Sequence, residues 1–361
     1  LTRARLREPR EAEVAMTLLA LRSPEDIPVV VLALGGPRAG VRVWAMATPP
    51  LLSVDLPHAR VVELLADVPG VRHIGLKAPV LSTRHLTSEA HVVHVGDFAF
   101  GGRAIPVIAG PCSIDTHDRL ARVVERVQRD GAGLFRAGAF KGRTNPYAFQ
   151  GHGLSALDVI ARVRSERRMP AVAEVLTPED VEPLADVCDV LQIGARNMHN
   201  TALLKAVGRT KTPVLLKRGF SSTIDEFLCA ADYVLSEGND DVILCERGVR
   251  TFEPAVRFSF DVTSLALLKT RTRLPVVVDP SHAGGRADLV LTVARAAVAA
   301  GADGLLIEVH DAPEHSLSDG EQALTPDAFA SLMRDVERMA HAVDRSIARP
   351  IPVEREVALV A

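Results

Sequence analysis

Eight short Val/Ile/Leu-rich runs, each followed by a stretch of helical period, mark this 361-residue sequence as α/β. The fold class they predict is a (β/α)8 TIM barrel with a small N-terminal α+β, ferredoxin-like domain. Two observations carry that expectation. The eight pairs occupy about 240 residues, the size of one closed barrel. The segment before them follows a different order, β-α-β-β-α-β, which is that of a split-βαβ module.

Residues 1–12 (LTRARLREPREA) are charged and aperiodic, and read as a mobile arm. Residues 13–80 hold the small domain, with strands VAMTLLAL, VRVWAMA, LLSVDL and VRHIGL. Its first helix starts at Ser23 in SPED, where Ser23 and Asp26 have capping-box spacing, although Pro28 falls awkwardly in the first turns. Its second is HARVVELLADV, with Val61, Val62, Leu64 and Leu65 as the apolar face and Pro69-Gly70 as the stop. Residues 81–104 are a linker and a hairpin, HVVHVGDFAFGGRAI, turning near Gly96-Asp97. The barrel spans 105–348, with strands at 106–112, 134–140, 170–176, 190–195, 213–219, 241–248, 275–282 and 304–310. Residues 349–361 read as a tail. A doubly wound open sheet is the competing arrangement.

Hydrophobic content of 47% supports a large core, and aromatic content of 4% argues against a base-stacking nucleic-acid binder. A net charge of −3 provides no broad basic field for nucleic acid or an anionic membrane. Cys112, Cys188, Cys229 and Cys245 are widely spaced with no CxxC, and read as reduced thiols. No apolar run reaches membrane-spanning length and no signal-peptide pattern opens the chain, so the expected location is cytoplasmic.

In a barrel, catalytic side chains project from the C-terminal ends of the strands. Those ends carry Cys112; Arg136, Lys141 and Arg143; Glu174; Arg196; Lys217 and Arg218; Glu246 and Arg247; Asp279 and His282; Glu308 and His310. Taken singly, each has an ordinary explanation: a lone Arg is a solvated charge, a lone Cys a packing residue, a lone His a hydrogen-bonding core residue. Their joint occurrence on one rim points to a site. Cys112, His282, Glu308 and Asp319 offer a thiolate, an imidazole and two carboxylates, a donor mix for Mn(II), Fe(II), Co(II) or Zn(II). Arg136, Lys141, Arg143, Arg196, Lys217 and Arg247 would repel one another unless anions sit among them, and phosphate and carboxylate groups are their natural partners. Pairing with Glu174, Glu246 and Asp279 accounts for part of this charge.

Seven segments then resemble one family: IAGPCS (108–113), FRAGAFKGRTNPYAFQG (135–151), QIGARN (192–197), LLKRGF (215–220), ILCERGVRTFE (243–253), VDPSHAGGR (278–286) and IEVHDAPEHSLSDGEQ (307–322). They are similar to 3-deoxy-D-arabino-heptulosonate 7-phosphate (DAHP) synthase, in the type I subgroup with an N-terminal ferredoxin-like regulatory domain. The resemblance runs over about residues 93–345 in unbroken order. It implies condensation of phosphoenolpyruvate with erythrose 4-phosphate and water, the first step of the shikimate pathway to aromatic amino acids. Position by position it implies Cys112, His282, Glu308 and Asp319 as divalent-metal ligands. It implies Arg136, Lys141, Arg196, Lys217, Arg247 and the backbone of Ala195 around phosphoenolpyruvate. Arg143 and Thr144 fall to the aldehyde phosphate, Glu174 to the attacking water, and Lys141, Glu174, His282 and Asp319 to the catalytic set. It further implies allosteric inhibition by an aromatic amino acid, a homotetramer, and a chorismate mutase, absent from this chain, as a possible separate partner.

One departure stands out. The family usually has Lys-Pro-Arg-Thr where this chain has Lys141-Gly142-Arg143-Thr144, so the acceptor loop loses a fixed φ. The sister enzyme making 3-deoxy-D-manno-octulosonate 8-phosphate typically has Lys-Ala-Asn-Arg-Ser there, and is the nearest alternative. A non-catalytic barrel and a metal hydrolase are the remaining readings.

Overall fold

The computed structural model describes residues 16–37 and 40–349. The arm expected at 1–12 and the tail from residue 350 onward lie outside the described residues.

The small domain contains β1 (Thr17–Leu21), a 3-10 turn (Pro24–Asp26), α1 (Ile27–Ala33), β2 (Arg42–Trp44), β3 (Leu51–Val54), α2 (His58–Leu65) and β4 (Val71–Leu76). Its strands form one sheet in the order β2-β3-β1-β4, with every neighbour antiparallel. Leu19, Leu21, Leu52 and Val54 from the sheet meet Val30, Leu34, Val61 and Leu65 from the helical side in a core of the domain's own. Ser23 and Asp26 do close a capping box, but around the 3-10 turn, and α1 starts only at Ile27. Pro28 therefore sits in the first turn, where the N–H it lacks has no helical partner. The face of α2 is narrower than expected. Val61 and Leu65, one turn apart, are buried, whereas Val62 is 43% exposed. The expected second strand shortens to Arg42–Trp44 because residues 45–49 turn toward β3.

A hairpin of β5 (Val93–Val95) and β6 (Phe98–Phe100) follows, and Gly96-Asp97 is its turn. The short β7 (Ala104–Ile105) then leads into the barrel strands β8 (Val107–Gly110), β9 (Leu134–Arg136), β10 (Ala171–Val175), β11 (Val190–Ile193), β12 (Val214–Lys217), β13 (Val242–Glu246), β14 (Val276–Val278) and β15 (Gly304–Glu308). Around them lie α3 (His117–Arg129), α4 (Leu157–Arg167), α5 (Val181–Val187), α6 (Thr201–Gly208), α7 (Ile224–Ser236), α8 (Val262–Arg271), the short α9 (Pro280–Gly284), α10 (Ala287–Ala299) and α11 (Pro326–Ala342). A last strand, β16 (Ser346–Ile347), pairs with β7. The eight strands are parallel, and β8 pairs with both β9 and β15, so the sheet closes on itself and the open-sheet alternative falls.

The barrel interior takes one apolar side chain from each strand: Ile108, Leu134, Val172, Val190, Leu215, Ile243, Val277 and Leu306. Val93, Val95, Phe98 and Phe100 of the hairpin pack into the same cluster. The hairpin borders Gly133, Pro170, Pro275 and Gly304, all at strand beginnings, so it plugs the N-terminal end of the barrel. Removing either phenyl ring from such a core costs about 3–5 kcal/mol.

The connection between domain and barrel is stitched from the barrel side. Backbone N–H groups of Val80, Leu81 and Ser82 donate to the Asp232 carboxylate on α7 at 2.6, 3.1 and 2.8 Å. Arg273 donates to the Leu81 carbonyl at 2.7 Å. No described helix is long and apolar enough to cross a membrane.

Candidate active site

Side chains alternate along a strand, so two residues beyond each interior apolar position the chain again points inward. Those next positions are Gly110, Arg136, Glu174, Gln192, Lys217, Cys245, Asp279 and Glu308. One step along the barrel axis, the lining changes from hydrocarbon to mostly polar groups, and six of these eight positions carry the change. Gly110 is required where it stands: a Cβ there would lie 2.4 Å from the Arg136 carbonyl oxygen.

On this floor, Cys112, His282, Glu308 and Asp319 each present a ligand atom, all within 4.8 Å of one another. Asp279 organises the histidine. Its Oδ1 accepts the His282 backbone N–H at 2.9 Å, and its Oδ2 stands 2.7 Å from Nδ1 and 2.6 Å from Lys217 Nζ. That leaves Nε2 facing Glu308, 3.8 Å from Oε2. Gln322 donates through Nε2 to Glu308 Oε2, a contact the sequence reading missed. Glu308 Oε1 is buried with no hydrogen-bond partner. Asp319 sits in the left-handed region at φ 56°, a conformation that Asp tolerates better than most residues and that turns its carboxylate inward.

The electrostatics fit a divalent cation. Burial, seconded by the Glu308 carboxylate, pushes the Cys112 thiol up to about 12 against the pull of Lys141 and Arg136. A coordinated cation reverses this, because it takes the thiol as thiolate. Burial holds the His282 imidazole below its ordinary pKa, in the neutral form that ligates metals. Despite burial, Lys141, His282 and a hydrogen bond from Cys112 hold the Asp319 carboxyl below the usual carboxylate range. Lys141 Nζ contacts the Cys112 sulfur and lies 2.7 Å from Asp319 Oδ2, while Arg136 donates to that sulfur at 3.2 Å. A buried thiol, imidazole and two carboxylates, one oxygen unpartnered, are the residues a soft-to-borderline divalent metal requires.

Above the floor opens a cavity of about 240 Å³. Its lining includes Lys141, Gly142, Arg143, Thr144, Glu174, Ala195, Arg196, Lys217, Arg247, His282 and Asp319. Arg136, Cys112 and Glu308 lie beneath it. All the site residues singled out from the sequence therefore gather at one place. Of the remaining rim residues, His310, Arg218 and Glu246 point elsewhere. His310 Nε2 pairs with Asp115 at 2.9 Å, and Arg218 pairs with Glu246 at 2.8 Å. Glu246 is thus no partner of the cationic cluster; Asp279 is, through Lys217. Gln192 Nε2 donates to Glu174 Oε2 at 3.3 Å. Sequence reasoning also missed Phe220, Phe258 and Arg257. Phe220 closes the LLKRGF segment, but nothing in its spacing tells that it lines the cavity.

A closed barrel with a four-donor metal floor and a cationic wall at the C-terminal ends of its strands defines an anion-handling, metal-assisted enzyme. Residues 88–344 match the model of the DAHP synthetase I family, and the chain belongs to that family. It is 42% identical over 255 residues to phospho-2-dehydro-3-deoxyheptonate aldolase of Thermotoga maritima, covering 71% of this chain and 75% of that protein. The solved structure of the Thermotoga maritima enzyme superposes with a TM-score of 0.74 at 36% identity, over 92% of this chain and 99% of that one. A truncated form of 3-deoxy-D-arabino-heptulosonate 7-phosphate synthase from the same organism gives 0.70 at 38% identity, over 74% of this chain and 98% of that one. The 2-dehydro-3-deoxyphosphooctonate aldolase of Geobacter sulfurreducens is 32% identical over 264 residues, covering 68% of this chain and 96% of that protein.

Proposed function

We infer that this enzyme condenses phosphoenolpyruvate with erythrose 4-phosphate and water, giving 3-deoxy-D-arabino-heptulosonate 7-phosphate and phosphate. The observation that carries this is the meeting, in one cavity of a chain of this family, of a metal-ligand quartet and a wall of cations. In this reading Arg136, Lys141, Arg196, Lys217, Arg247 and the Ala195 N–H hold phosphoenolpyruvate, and Arg143 and Thr144 hold the aldehyde's phosphate. Support comes from charge: two multiply anionic substrates repel, and a preorganised cationic cavity offsets that repulsion while aligning them.

Cys112, His282, Glu308 and Asp319 would hold a Mn(II), Fe(II), Co(II) or Zn(II) ion, which would supply Lewis-acid polarisation of the aldehyde carbonyl. The remaining work falls to side chains. Carbon 3 of phosphoenolpyruvate bonds to the aldehyde carbon, and Lys141 gives a proton to the aldehyde oxygen. Burial lowers the Lys141 pKa, but in the metal-free site the surrounding Cys112 and Asp319 outweigh it and raise the pKa, which favours the ammonium form that a general acid requires. Glu174, oriented by Gln192, takes a proton from the water that adds to carbon 2. The hemiketal phosphate then breaks its C–O bond: the hemiketal O–H returns a proton to Lys141, the bond's electrons leave with phosphate, Glu174 gives its proton to that phosphate, and the ketone remains.

The direct test measures phosphoenolpyruvate consumption with erythrose 4-phosphate, with Mn(II) and then with excess chelator. Consumption that requires both aldehyde and metal is the expected result. Consumption with arabinose 5-phosphate instead would transfer the assignment to the octulosonate branch.

The N-terminal domain is proposed to be regulatory, with an aromatic amino acid as effector, within a cytoplasmic homotetramer and with a separate chorismate mutase as a possible partner. In support, a cavity of about 690 Å³ lies between domain and barrel, with Arg22, Met46, Arg72, Leu86 and Arg273 on its walls. Deleting residues 1–76 is expected to abolish any response to Tyr or Phe and to spare turnover. The cut has to spare Val80–Ser82, because Asp232 depends on their N–H groups. Inhibition that survives the deletion would move the effector site into the barrel.

A further inference from the structure

Three of the guanidinium groups at the barrel mouth have no acid against them. Among the described residues, no carboxylate oxygen lies within 4 Å of Arg196, Arg247 or Arg250, whereas their neighbours Arg218 and Arg257 each face one. Their hydrogen bonds go to neutral groups only, Arg196 Nη2 to Thr144 Oγ1 at 3.2 Å and Arg247 Nη1 to the Gly248 carbonyl at 3.5 Å, and their other neighbours are aromatic. Phe220 and Phe258 stack with ring centroids 5.0 Å apart and planes 27° from parallel. Arg196, Arg247 and Arg250 stand 5.3, 5.2 and 5.7 Å from the Phe220 centroid. Arg247 also lies 3.8 Å over the Phe258 ring, and Arg257 lies 5.5 Å from it.

We propose that the Phe220–Phe258 stack is a positioning pair for phosphoenolpyruvate: it seats the cavity's arginines by cation–π contact, which orders them without neutralising their charge. Carboxylate partners order a guanidinium equally well, but they occupy its donors and cancel the field that an anionic substrate needs. An aromatic face attracts the cation through its quadrupole and leaves the N–H edges free. The two rings come from different loops, Phe220 after β12 and Phe258 after β13. A backbone bond from the Arg250 N–H to the Phe220 carbonyl, 2.6 Å, ties those loops together. Gly248, at φ +80°, lets the second loop fold back, since a Cβ there would lie 3.1 Å from the Phe258 Cβ. Phe258 is 4% exposed, so its ring is a fixed platform.

This proposal rests on phosphoenolpyruvate being the anion held at the wall, and the test keeps the two claims separable. Full-length metal-loaded enzyme is compared as wild type, Phe220→Leu, Phe258→Leu and Phe220→Tyr. Calorimetry with phosphoenolpyruvate, and separately with inorganic phosphate, is run without aldehyde, beside KM, kcat and Tm. Phe220→Leu keeps apolar bulk and loses the π face. It is expected to weaken phosphoenolpyruvate binding and raise its KM by about tenfold, the size of one or two cation–π contacts. Tm is expected to stay near wild type and kcat to change much less, and Phe220→Tyr is expected to bind as wild type. Equal impairment of the Leu and Tyr variants would make the ring a shape filler and overturn the proposal, as would unchanged binding in both Leu variants. A wild type that binds phosphate but not phosphoenolpyruvate would overturn the substrate assignment instead, and the phosphate titrations would still decide the role of the stack.

Discussion

The floor and the wall of the cavity handle charge by opposite means. On the floor, Arg136 faces Glu308 at 3.6 Å, Lys141 faces Asp319 at 2.7 Å, and Lys217 faces Asp279 at 2.6 Å. On the wall, Arg196 and Arg247 rest against Phe220. Burial lowers the Arg247 guanidinium to about 10, with Arg257 pushing the same way and Asp279 opposing, so its charge costs something to keep there. A floor of interlocked acids and bases has a place for one more cation. A wall of cations set on rings has a place for an anion. Removing a floor residue strands a buried partner, which is expensive, whereas removing a wall residue mainly weakens attraction for a ligand.

The sharpest way to break that contrast is at the metal. Cys112→Ala should lower turnover on the order of a thousandfold, the several kcal/mol that Lewis-acid polarisation supplies. Metal content after dialysis should fall with it, while the melting temperature of metal-free enzyme stays near wild type, because Cys112 belongs to none of the three floor ion pairs and its loss strands no charge. A variant that retains both full activity and metal would remove the sulfur from the ligand set. Lys141→Met comes next. It should cut kcat by about a hundredfold or more, as expected for loss of a general acid. Because Asp319 and the Cys112 sulfur lose their cation, metal binding should tighten or hold rather than weaken. A variant with normal kcat and altered KM alone would make Lys141 a binding group only.

Gln322 tests the floor at one remove. Gln322→Leu leaves Glu308 Oε2 without its donor, and metal affinity measured by competition with a chelator should drop about tenfold to a hundredfold. Gln322→Glu loses the same amide donor but adds an anion that attracts the metal, so its affinity at neutral pH should fall less than that of Gln322→Leu. Unchanged affinity in both would mean that Asp279, Ser281 and the backbone orient the ligands without help; Ser281 Oγ already accepts the Glu308 N–H at 2.9 Å.

The floor was legible in the sequence and the ring stack was not, for a physical reason. Cys112, Arg136, Glu174, Lys217, Asp279 and Glu308 stand where apolar strands run out, and period-2 alternation places such residues inside the barrel. The resemblance then supplied roles that alternation cannot. Phe220, Phe258, Arg257 and Gln322 act from loops, whose path no period encodes. Phe258 came within reach only because the chain returns beneath Gly248, and an apolar residue in a loop does not announce whether it faces a core or a ligand. In the small domain the element order was legible while element lengths were not. Pro28 proved harmless because a 3-10 turn precedes the helix, and Val62 fell outside the buried stripe of α2.

The smallest expected effect belongs to Gly142, where the wall meets the acceptor loop. Gly142 has no left-handed φ, and a Cβ there would touch only Leu176 Cδ2 at 3.4 Å, a tight but yielding side-chain contact. Proline should therefore fit. Its gain would come from the flexible state: fixing one φ removes loop conformations and is worth about 0.4–1 kcal/mol, or twofold to fivefold. Gly142→Pro should accordingly lower KM for erythrose 4-phosphate by that factor and move KM for phosphoenolpyruvate less, since Arg143 and Thr144 follow Gly142, whereas the phosphoenolpyruvate contacts touch this loop only through Lys141 and the bond from Arg196 to Thr144 Oγ1 at 3.2 Å. Equal shifts in both constants would show that loop and wall move as one body. A raised KM for the aldehyde would show that Gly142 is needed for a conformation of the loop that proline forbids, and that the acceptor site of this chain closes differently from the one its Lys-Pro-Arg-Thr relatives use.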